Sequence, residues 1–151
     1  MERVEGEMAE KVKEKAPKLE VLKPQAPIRR FDVFAEWNRI KAVKEFGFPE
    51  DEAKAYGLAV AKVVAARKFY GHRLKYRGAT RAYLEGKTEE KWWRKLATPE
   101  EFDEKIVQRM GEEFYEKVFR PAIEKAYEEG KDYMDIRDSI REEWNRLLKE
   151  G

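Results

Sequence analysis

The sequence predicts an all-α fold: a compact bundle of about five or six helices with an N-terminal helical arm on a proline-rich linker. Three observations predict it. Apolar residues recur at three- and four-residue spacing along most of the chain, and no segment alternates as a half-buried strand does. Start and stop signals fall at the ends of these periodic segments. Charged residues make up 42% of the chain against a usual value of about 25%, and Glu, Lys and Arg are good helix formers. The apolar fraction, also 42%, is enough to build a core.

Residues 2–16 carry Val4, Met8 and Val12 at four-residue spacing, a narrow-faced helix that is marginal alone. Pro17 stops it, and Pro24 and Pro27 follow. Proline fixes φ and lacks an amide donor, so 17–29 reads as an extended linker. Residues 1–29 are therefore expected to be arm and linker, and 30–151 a single helical domain. The first domain helix is expected over 31–46, with Val33, Phe34, Trp37, Ile40 and Val43 on one broad face and Gly47 as its left-handed C-terminal residue. Pro49 and the acids Glu50, Asp51 and Glu52 suit the start of the next helix, expected to run to about residue 70. Ala53, Gly57, Ala61 and Ala65 form an i,i+4 ladder of small residues there, which lets a neighbour approach closely. This is expected to be the most buried helix, packed on 31–46.

Residues 71–86 read either as a helix broken by Gly78 or as a loop and short helix. Thr88 can cap a short helix carrying Trp92, Trp93 and Leu96, with both tryptophans in the core. Thr98, Pro99 and Glu101 predict the next start through a capping box. From there Phe102, Ile106, Met110, Phe114 and Val118 recur every four residues as a core stripe, and Pro121 kinks or restarts a helix ending near Gly130. The last helix is expected over 134–149, with Ile136, Ile140, Trp144, Leu147 and Leu148 inward.

The residue inventory excludes much chemistry. Absent cysteine excludes disulfides, thiolate metal sites and cysteine nucleophiles, and one histidine excludes multi-histidine metal centres. No cofactor is expected. Residues 1–16 lack the apolar core of a secretory signal, and no stretch is long enough to span a bilayer. A soluble, cytoplasmic protein without membrane contact is the expectation. One serine, three threonines, two asparagines and two glutamines leave solvation to Glu, Lys and Arg, a pattern of thermophilic proteins that a helix-rich mesophilic protein could share.

The net charge of +2 hides a sorting along the chain. Residues 1–61 hold 12 basic and 12 acidic residues, 62–97 hold 11 and 3, and 98–151 hold 10 and 16. Within 67–83, Arg67, Lys68, Arg73, Lys75, Arg77 and Arg81 accompany His72 without one acid, interleaved with Phe69, Tyr70, Tyr76 and Tyr83. Cations neutralise phosphates, and aromatic faces stack on unpaired bases. The pattern predicts a non-enzymatic accessory protein that contacts RNA or DNA, with the six cations on phosphates and Tyr70 and Tyr76 on bases. The same cations could instead pair internally with the acidic block. The alternative expectation is a structural or adaptor subunit that docks on a protein partner or another copy through residues 1–29.

Other patterns are thinner. Gly86-Lys87-Thr88 lacks the glycine four residues earlier, Arg81 standing there, and so reads as a helix end followed by a cap. Ser139 and His72 have no strand-to-helix elbow between them. Glu113-x-x-Glu116 followed by Glu129-x-x-Asp132 resembles the magnesium-binding motif of the all-α MazG-type nucleotide pyrophosphohydrolases over residues 113–132. That resemblance implies carboxylates on facing helices holding Mg²⁺ against a triphosphate. The chain departs from the family pattern at Gly130, which interrupts the second pair.

Overall fold

In the computed structural model, residues 22–66 and 72–150 are described. Among them every regular element is helical: α1 Arg30–Lys44, α2 Glu50–Ala65, α3 Arg73–Leu84, α4 over 99–110, α5 over 112–128 and α6 Tyr133–Glu150, with a 3₁₀ turn at Trp92–Lys95. The arm expected over 2–16 lies outside the described residues.

α1 and α2 form a hairpin that is the centre of the molecule. Gly47, at φ 74°, turns the chain out of α1, and Pro49 precedes the acidic first turn of α2. The small-residue ladder has the expected effect. A Cβ on Gly57 would lie 2.4 Å from the Ala35 carbonyl oxygen and 2.8 Å from the Arg39 nitrogen, so the two backbones touch there. Ala53 and Ala61 are buried beside it, whereas Ala65 is exposed at the helix end. α1 is buried on more than its apolar face: Val33, Ala35, Ile40 and Ala42 go inward, and so do Asp32, Glu36 and Arg39. Phe34 and Trp37 meet Tyr133 of α6 and Tyr127 of α5 edge-on or tilted, with centroids 4.9–5.7 Å apart.

The expected stripe of 102–118 is buried at Phe102, Ile106, Met110 and Phe114, but it lies on two helices. Gly111, at φ 102°, separates α4 from α5, and its missing side chain admits the amide of Gln25. Within each helix one turn is π-wide, over Asp103–Gln108 and Tyr115–Phe119. An α-helix turns every 3.6 residues, so an apolar spacing of four drifts off a face. The wider i→i+5 turn brings it back. The second wide turn also precedes Pro121, whose ring would clash with the carbonyl four residues earlier in a tight helix. Thr98 caps α4 by accepting from the Glu101 amide at 3.1 Å. The capping box is half formed, because the Glu101 carboxylate accepts from Lys62 at 2.7 Å instead.

Two further expectations change. α3 runs unbroken through Gly78, and Trp92 and Trp93 sit in a 3₁₀ turn rather than a capped helix. In α6, Ile136 and Trp144 are buried, while Leu147 is 38% exposed. The linker meets the bundle before α1: Gln25 donates its amide to Met110, and Ile28 exchanges backbone bonds with the Asn145 side chain at 2.7 and 3.1 Å. No helix among the described residues is long and apolar enough to cross a membrane.

Candidate nucleic-acid interface

The basic segment forms α3, and one side of that helix seats it on the bundle. Helical geometry gathers Tyr76, Ala79, Thr80 and Tyr83 on one face. Tyr76 stacks on Trp92 at 4.3 Å and 27°, and Tyr83 meets Trp93 edge-on at 5.2 Å. Trp92 donates its indole N–H to the Thr80 hydroxyl at 2.8 Å, and Thr80 donates to the Tyr76 carbonyl at 2.9 Å. Thr80 is thus the fully buried residue of α3.

The indole pair is itself held by Glu52. That carboxylate accepts from Trp93 at 2.6 Å, Arg94 at 2.7 Å and Lys91 at 3.1 Å. Burial works against its charge, but these bonds outweigh it and hold its pKa at about 2. Glu52 therefore pins the turn on which α3 rests.

The remaining faces of α3 are cationic. Arg73, Lys75, Arg77 and Arg81 are all exposed, and none makes an ion pair with a described residue. Arg73, Arg77 and Arg81 recur at i, i+4 and i+8, so they form one stripe beside the seated face. Lys75 lies apart, 5.9 Å from the Tyr76 ring centroid, and lowers the pKa of Glu90 as a minor contribution after Lys95. Arg67, Lys68 and Tyr70 lie outside the described residues. The acidic block does not neutralise the stripe. Its carboxylates turn to Lys44, Lys54, Lys105, Lys117 and Arg141, and Lys62–Glu101 is the one ion pair between residues 62–97 and 98–151 among the described residues.

Between α1, α2 and α3 lies a cleft bordered by Phe34, Asn38, Lys41, Val60, Arg73, Tyr76 and Arg77, with no acidic residue among its described lining. It abuts a second cleft that shares Phe34, Val64 and Arg73 and reaches Tyr133 and Arg137 of α6.

The acids of the magnesium-type pattern are not gathered. Glu113 pairs with Lys117, Glu116 with Arg120 and Glu129 with Lys131, while Asp132 accepts from the Met134 amide. No group of three or more His, Cys, Asp or Glu side chains among the described residues could hold a metal ion. Ser139 turns its hydroxyl to the Asp135 carbonyl of its own helix. Gly86, at φ 76°, ends α3, and the Thr88 hydroxyl accepts from the Glu90 amide.

Periodicity did not reveal the three buried acids. Glu36 accepts from Arg39 at 2.6 and 3.0 Å and from the Tyr115 hydroxyl at 2.6 Å, and Arg39 reaches Glu50 at 2.9 Å. Burial and the Glu36 charge push the Tyr115 hydroxyl well above its usual pKa, so it remains a donor. Asp32 accepts from Arg29 and from Arg109 of α4. These groups tie α1 to α5 through Glu36 and to α4 through Asp32.

No protein-family model, curated protein or solved structure matches this chain.

Proposed function

We propose that this protein contacts RNA or DNA, without catalysis, through α3 and the basic segment that leads into it. The observation that carries this reading is the exposed, unpaired state of Arg73, Lys75, Arg77 and Arg81 in a molecule whose other cations are largely engaged. Cations without an internal carboxylate partner meet phosphates without first giving one up, and binding gains from counterion release. Arg67 and Lys68 would extend the phosphate contacts and Tyr70 the stacking, while Tyr76 serves first as an anchor for α3.

Fluorescence anisotropy with mixed-sequence RNA and DNA pools at rising salt tests the proposal. Binding should weaken steeply with salt. Each of Arg73→Ala, Arg77→Ala and Arg81→Ala should weaken it across all sequences and flatten the log–log slope by about 1. Absence of binding to every pool at low salt would refute the reading.

A further inference from the structure

We infer that the cleft between α1, α2 and α3 receives an unpaired nucleobase, so that the ligand of the basic helix is single-stranded. This rests on the nucleic-acid reading above and narrows it. The decisive residue is Asn38. It is 8% exposed, it borders the cleft, and its amide nitrogen donates to the Phe34 carbonyl at 2.9 Å. No described residue donates to its amide oxygen. This oxygen is therefore an acceptor open to a ligand on a cleft wall shared by Phe34, Val60, Lys41 and Arg77. Every nucleobase carries an N–H donor on its pairing edge, and that edge is exposed only when the base is unpaired.

The surroundings suit the rest of a nucleotide. Phe34 and Val60 offer apolar contact to a ring, and Tyr76 is held in place by its stack on Trp92. Lys41, Arg73 and Arg77 stand around the same cleft, and no carboxylate is among its described lining to repel a phosphate. A duplex would satisfy the three cations but could not reach the Asn38 oxygen with a paired base. The neighbouring cleft continues from Arg73 towards Arg137 and Tyr133, which gives the strand a path beyond the first base.

The test uses the full chain and four labelled probes at one salt concentration: a single strand of about 12 nucleotides, its duplex, an abasic strand of equal length, and an acidic amphipathic peptide of equal charge. The single strand should bind about tenfold tighter than the duplex and the abasic strand. Asn38→Ala should remove several-fold of that preference and leave abasic binding unchanged. Val64→Trp, at a half-exposed position on the cleft wall, should bring single-strand binding down to the abasic level without touching the core. Equal binding of single, duplex and abasic strands would overturn the base site while leaving the phosphate reading intact. Peptide binding as tight as that of the single strand would overturn it in favour of a protein ligand. No binding of any nucleic acid would remove both readings together.

Discussion

Glu36 and Arg39 stand one helical turn apart on α1, and this spacing lets two opposite charges enter the core as a two-pronged pair. Neither charge tolerates burial alone. Glu36→Ala should cost about 3–5 kcal/mol in urea unfolding, because it leaves the buried Arg39 with only the partly exposed Glu50 as partner. Replacing the set as Glu36→Leu, Arg39→Met and Tyr115→Phe should recover most of that loss. Glu52 gives a pH signature. Its folded pKa of about 2 lies below its ordinary 4.5, so its contribution is complete above pH 4.5 and fades as pH falls towards 2. The difference is on the order of 3 kcal/mol. Urea midpoints of wild type and Glu52→Gln should therefore converge across that window. These acids were not legible in the sequence because 31 acidic residues look alike to a periodicity search. The only mark of Asp32 and Glu36 is position, since both follow the inward spacing of Val33 and Ile40.

Glycine means opposite things on two helices. On α2, Gly57→Ala would drive a methyl into the α1 backbone and should cost about 3 kcal/mol or more in thermal unfolding. On α3, a Cβ at Gly78 would meet nothing within 4 Å, so Gly78→Ala should stabilise the protein by about 0.5–1 kcal/mol. The ladder was readable because small residues at i,i+4 have a direct packing meaning. The continuity of α3 was not, since local propensity disfavours Gly78 and only the contacts of Tyr76, Thr80 and Tyr83 with the tryptophans offset it. The division of 99–128 was hidden for another reason. The apolar period is the same on both sides of Gly111, so the stripe carries no sign of the break.

Across the whole molecule, the charge blocks were legible but their pairing was not, because pairing depends on which helices become neighbours. The acids of α4 to α6 that form ion pairs do so within these helices or with cations of α1 and α2, and none of them reaches the cations of α3 among the described residues. The linker shows the same limit of sequence reasoning. Three prolines mark it as extended, yet Ile28 is 1% exposed. A chain starting at Arg30 should be about 2–5 kcal/mol less stable in urea unfolding than one starting at Leu22. If residues 1–29 dock on another copy, light scattering will show that the chain starting at Arg30 forms a smaller assembly.

The seat of α3 has one more consequence. That helix fully buries a single residue, against nine in α2. It is thus the element whose amides should exchange with deuterium by local opening, at a free energy below that of global unfolding. An anion bridging Arg73, Arg77 and Arg81 would slow that exchange selectively. By the same linkage, loosening Trp92 would lower affinity for an anion held only by those three arginines.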